Sequence, residues 1–148
     1  KVLELDSQHV QAMNYLAYTY ADSNQKLEKA EQLARKALQA RPQDGYVLDT
    51  IGWILFKRGQ VARAVQYLER AFNAKSDESI IAEHLGDAYY RQELAEKAKS
   101  MYRKAVELAT DDEKIEKLRE KIVAIEEQKE KLRSPASISE RSDQALNP

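Results

Sequence analysis

The residues best suited to catalysis or metal binding are few, and they stand apart from one another. His9 and His84 are the two histidines. Neither has an acidic or serine neighbour at a spacing that makes a nucleophilic triad or a ligand set, and no glycine-rich phosphate loop occurs. The absence of cysteine removes the thiol nucleophile, the zinc–thiolate site and the disulfide, and leaves redox compartment unread. Asp111 and Asp112 open a run of helix formers, so they are better explained as a helix cap and its acidic first turn than as a carboxylate pair. The chemistry expected is therefore not catalytic, and no cofactor or metal is expected. What remains is recognition by aromatic and charged side chains, of which the single tryptophan, Trp53, is the most conspicuous.

The elements that must position such residues are helices. Among 148 residues there are four glycines and three prolines, long stretches are rich in Ala, Leu, Glu, Lys, Gln and Arg, and strand-like alternation is not sustained anywhere. A third of the residues are charged and the net charge is -1. No basic stripe is visible, which argues against nucleic acid as a partner. The longest apolar run, residues 51–56, is far too short to span a bilayer, so the segment reads as soluble, in cytoplasm or periplasm. The opening "KVLELDSQ" lacks the features of a signal peptide.

Small residues recur at a fixed interval. Ala30, Ala64 and Ala98 lie 34 residues apart, as do Ala37, Ala71 and Ala105. Each is preceded by a first-helix pair, Leu16-Ala17, Ile51-Gly52 or Leu85-Gly86, with Tyr20, Leu55 or Tyr89 three residues further on. Stacked helical hairpins approach closely only where side chains are absent or single methyls, so these sites, Gly86, Ala98 and Ala105 among them, are read as contact points. The period is that of one helix-turn-helix unit, and the chain resembles the tetratricopeptide repeat (TPR) family over roughly residues 2–110. Departures are small: one extra residue in the "DSNQKLEK" turn, Glu93 where Gly59 sits one unit earlier, and a closing proline, Pro42, only in the first unit.

The resemblance implies an all-α, right-handed superhelix with the first helices lining its concave face. Helices are expected at 9–22, 26–40, 44–57, 60–74, 78–91, 94–109 and 111–133. Residues 1–8 match the end of a second helix, since "KVLEL" resembles "KALQA" and "KAVEL". The chain is thus read as the C-terminal fragment of a longer array, with three units over 9–110, a capping helix over 111–133 and a polar tail over 134–148. Ile115, Leu118, Ile122, Ile125 and Leu132 form one apolar stripe on the capping helix, which suits covering the last unit and equally suits a coiled-coil seam. The tail has the composition of a disordered segment.

Helical spacing places Asn14, Tyr18 and Ala21, then Asp49, Trp53 and Phe56, then Glu83, Asp87 and Tyr90 on the inner face. Gln11, Tyr46 and Ile80 flank them on one edge, and Asp22, Lys57 and Arg91 on the other. In chaperone-binding members of the family, basic residues and asparagines clamp a terminal carboxylate. The corresponding positions here are Asn14, Tyr18, Thr50, Ile80 and His84, none with the required residue. The expected partner is a protein or peptide, basic with apolar anchors, held in the groove of a scaffold like those of bacterial envelope or multiprotein assemblies. Trp53 is the expected anchor, with Tyr18, Tyr46 and Tyr90 around it and Asp49, Glu83 and Asp87 selecting positive charge. Phe56, Tyr18 and Tyr46 equally suit packing between helices. The alternative function is self-assembly through the terminal helix or tail.

Overall fold

The structure, a computed structural model, describes residues 7–133. Seven helices follow one another: α1 (Ser7–Asp22), α2 (Leu27–Ala40), α3 (Gly45–Lys57), α4 (Val61–Ala74), α5 (Ser79–Arg91), α6 (Ala95–Leu108) and α7 (Asp112–Arg133). Among the described residues no strand occurs. Each expected helix is present with ends shifted by at most two residues. The expected truncated unit at the start and the polar tail lie largely or wholly outside the described residues.

Local chemistry explains where the helices start and stop. The Asp44 carboxylate accepts from the backbone N–H groups of Tyr46 at 2.9 Å and Val47 at 3.3 Å, satisfying two otherwise orphaned donors at the start of α3. Asp111 does the same for α7, accepting from Glu113 N–H at 3.0 Å. Each first helix ends in a left-handed residue: Asn24 at φ 55°, Gly59 at φ 82° and Glu93 at φ 63°. The next N–H in each case reaches back to the carbonyl of Tyr20, Leu55 or Tyr89, at 2.8, 2.9 and 3.0 Å. The extra residue of the first turn adds a second left-handed position, Lys26 at φ 47°.

The hairpins α1–α2, α3–α4 and α5–α6 stack in sequence, and α1 to α3 and α3 to α5 touch directly, so successive first helices form a continuous inner wall. The recurring small residues are the contact points: Ala17, Ala30, Ala37, Ala64, Ala71, Ala98 and Ala105 are fully buried. A Cβ on Gly52 would lie 2.6 Å from Leu68 Cγ, and one on Gly86 would lie 2.7 Å from Tyr102 Cε1. The last hairpin is covered by α7, which packs on α6 and buries Leu118 and Ile125 beside Ala98, Tyr102 and Ala105. Of the α7 stripe, Leu132 remains exposed, as does neighbouring Val123. No helix of the described residues is long and apolar enough to cross a membrane.

Candidate functional site

The inner wall is built from α1, α3 and α5, and its three stretches differ. In the middle, Asp49 of α3 and His84 of α5 meet across the helix boundary, with Nδ1 of the imidazole 2.8 and 3.1 Å from the two carboxylate oxygens. The His84 ring is stacked on the Trp53 indole at a centroid distance of 4.0 Å and 16° between planes, and Phe56 stacks on the indole at 5.0 Å. Lys57 Nζ sits 5.0 Å from the indole centroid and Arg91 lies 5.5 Å over Phe56, which is half-buried. Trp53 is consequently 7% exposed and Asp49 4%. This corrects the expectation of an exposed tryptophan anchor; Asp49 is buried beside it but also borders the cleft between α1 and α3. A quarter-turn from the Gly52 contact leads not into the lumen but onto the next first helix, which laps over α3 and places His84 against it. The indole Nε1–H is left buried without a hydrogen bond.

Towards the C-terminal end, α7 occupies the groove residues. Lys121 Nζ donates to Glu83 at 3.0 Å and to Asp87 at 2.9 Å, and Lys114 lies 3.8 Å from Glu83. Burial alone would lower the Lys121 pKa, but the Asp87 and Glu83 carboxylates outweigh it and hold the ammonium above its ordinary value. The Tyr102 hydroxyl also donates to Asp87, and that of Tyr90 donates to Gln128 at 2.8 Å. Glu83 and Asp87 were expected to select positive charge on a partner. The charge they meet is that of the chain's own α7, because the capping helix stands where the first helix of another unit would.

Among the described residues, the N-terminal stretch is open. Between α1 and α3 lies a cleft of about 470 Å³, reaching Ile80 of α5 and the α2–α3 turn. Val10, Val47 and Ile80 give it an apolar base, and the rings of Tyr15, Tyr18 and Tyr46 form its walls. Tyr15 is 74% and Tyr46 44% exposed, while Tyr18 is half-buried and its ring lies 5.9 Å from that of His84. Burial, reinforced by the charges of Asp22, Asp49 and Glu83, raises the Tyr18 phenol well above its ordinary range. The Tyr46 phenol, donating to Glu78, is pushed up to about 12 chiefly by that hydrogen bond, with burial second. Asn14, Asp49 and Thr50 supply the polar atoms of the inner walls.

Of the nine groove residues expected, the cleft unites Asn14, Tyr18, Tyr46 and Asp49. Trp53 and Phe56 belong to the packed middle, and Glu83, Asp87 and Tyr90 to the α7 contact. Val10, Tyr15, Arg41, Asp44 and Val47 line the cleft too, and no repeat position in the sequence pointed to them. One signal for the cavity was present. Thr50 and His84 hold the same register one unit apart, and a threonine cannot fill the volume that the imidazole fills between the next two first helices. Among the described residues, no group of three or more histidine, cysteine, aspartate or glutamate side chains converges as a metal site.

Comparison with known proteins agrees with this architecture. The Tetratricopeptide repeat family model matches residues 1–45 and 50–113. The chain belongs to the tetratricopeptide repeat family. A TPR repeat-containing protein of Pseudomonas aeruginosa is 35% identical over 86 residues, which are 58% of this chain and 14% of that protein. The chain thus spans a small part of the curated relative it matches. Among solved structures, the type III secretion translocator chaperone SycD of Yersinia enterocolitica superposes with a TM-score of 0.75 at 19% identity, covering 86% of this chain and 90% of that one. PcrH, in complex with the chaperone binding region of PopD, gives 0.75 at 14% identity over 86% and 99% of the two chains. The first TPR of Spaghetti, bound to an HSP90 peptide, gives 0.72 at 17% over 86% and 98%. At these identities the structural likenesses establish the fold.

Proposed function

We propose that this TPR array is a protein–protein interaction scaffold whose inner groove receives a segment of another protein, basic with apolar anchors, between α1 and α3. The observation that carries the reading is the α1–α3 cleft, which among the described residues neither the next first helix nor α7 fills. Its exposed tyrosines present large, stiff, amphipathic surface, which interfaces favour, and its deep polar atoms include the Asn14 amide oxygen and the Asp49 carboxylate, both acceptors. PcrH and the Spaghetti domain, as their structures are described, each hold a segment of another protein, which makes segment binding a use that this fold accommodates. The positions of the carboxylate clamp are filled by Asn14, Tyr18, Thr50, Ile80 and His84, so a terminal carboxylate is not the group recognised.

A second reading, self-association through α7, is favoured by the exposure of Val123 at 47% and Leu132 at 55%. The test of the first is affinity capture on the tagged full-length chain, run beside a Tyr18→Ala, Tyr46→Ala double variant shown by circular dichroism to keep its helical fold. A protein recovered by the wild type and lost with the variant supports the groove. Equal recovery contradicts it. Light scattering over a concentration series decides the second reading, which fails if the mass stays that of a monomer throughout.

A further inference from the structure

We infer that the cleft between α1 and α3 is a pocket for one arginine side chain of the partner segment, received by the Asn14 amide oxygen and the Asp49 carboxylate; this rests on the groove reading and names what the groove selects. The starting point is a mismatch of donors and acceptors. Asn14 Oδ1 is buried and accepts no hydrogen bond, although buried acceptors in native proteins are nearly always satisfied and costly when they are not. Asp49, on the same cleft, meets one donor among the described residues, His84 Nδ1. A carboxylate has about four lone-pair sites, so much of its accepting capacity is unused. Thr50 turns its hydroxyl back to the Tyr46 carbonyl of its own helix at 3.0 Å and so does not donate to either acceptor. What these two acceptors lack is a group with several N–H donors, and the Asp49 carboxylate favours one that is positively charged.

The neighbouring interface within the molecule has what this one lacks. Asp49 and His84 hold, one unit later, the places of Asn14 and Thr50, and there the His84 ring brings a nitrogen onto an acceptor while lying flat on the indole of Trp53. Tyr18 takes the indole's place at the α1–α3 boundary, and the ring nitrogen has no counterpart. A guanidinium entering from outside would do there what His84 does inside. It is planar, weakly hydrated, stacks on aromatic faces and donates in two directions at once, whereas an ammonium is compact and strongly hydrated. Arg91 over the Phe56 ring at 5.5 Å is the same pairing within the chain.

Arg41, which also lines the cleft, would favour an anion if it were unengaged. Its guanidinium instead meets Ser7 Oγ and lies 3.7 Å from the Asp44 carboxylate. An anion would also sit beside Asp49 and leave Asn14 Oδ1 unmatched.

A random peptide library selected on the full chain, followed by anisotropy titrations of fluorescein-labelled binders, tests the pocket. The enriched peptides should share an arginine, and its replacement by norleucine or lysine should weaken binding by about tenfold or more. Asn14→Leu should weaken the arginine peptide similarly without lowering the melting temperature, and Asn14→Asp should tighten it in a salt-dependent way. Binders that lose affinity in Tyr46→Ala but need no arginine, or that hold Asn14→Leu as tightly as wild type, would overturn the arginine pocket and leave the groove reading standing. Failure to enrich any peptide sensitive to Tyr46→Ala would overturn both.

Discussion

Gly52 and Gly86 let the first helix of a unit come down on the second. With Leu68 Cγ 2.6 Å from where a Cβ would be, and Leu68 itself fully buried, Gly52→Ala must push a side chain that has nowhere to go. The expected loss is about 1–3 kcal/mol, read as a lowered urea midpoint at constant slope. Gly86→Ala meets a tyrosine ring edge and should cost a similar amount. These two positions were legible in the sequence, because a contact point held to alanine or glycine, Ala17, Gly52 and Gly86, recurs with the repeat. Trp53 was not. Its direction from the helix axis could be read from its distance to Gly52, but whether that direction opens to solvent depends on how far α5 laps over α3, and no local spacing encodes that. With the indole enclosed by His84 and Phe56, Trp53→Ala should destabilise the fold by about 3–5 kcal/mol. A melting temperature equal to the wild type's would show that the indole is not part of the packing.

Among the elements, the seven helices were legible nearly to their ends because several boundaries carry local chemistry: Asp44 and Asp111 cap, and Asn24, Gly59 and Glu93 stop. The partition of the α7 stripe was not legible, since one apolar stripe suits covering a neighbour or pairing with a second copy. Packing divides it. Leu118 is fully buried against α6, whereas Leu132 is 55% exposed. Leu118→Ala should therefore cost about 2–5 kcal/mol, and Leu132→Ala should stay within about 0.5 kcal/mol of wild type by chemical denaturation. The lysines of α7 extend its hold onto α5. Glu83 and Asp87 looked like partner-selecting charges because their counterions lie beyond the third unit in the chain, where the repeat offers no template for pairing them.

At the scale of the whole molecule, several phenols bind the helices together while protonated. Tyr89, which donates to Glu69, is pushed up to about 12, by burial first and that hydrogen bond second, and Tyr46 is likewise raised to about 12. Tyr102 is raised as well, by burial and then by the Asp87 charge. An unfolded chain releases these protons near pH 10, so the folded state binds more protons above that point. The stability they contribute is fully present below about pH 10 and is lost as the pH rises through 12. Urea midpoints should accordingly fall between pH 9 and pH 12, and Tyr89→Phe should make the fall shallower. A midpoint flat across that range would contradict the assignment.

As proposed, the inner wall between α1 and α3 should meet a partner protein in cells. A photo-crosslinking amino acid placed in cells at Tyr15 of the full-length protein, with Gln66 on α4 as the control on a second helix, tests it most directly. Both positions are exposed, so any difference between them reports the surface and not accessibility. A crosslink is expected from position 15 to a segment of a different protein, reduced by Tyr46→Ala, and none from position 66. Crosslinks from position 66 alone, or from position 15 only to a second copy of this chain, would contradict it.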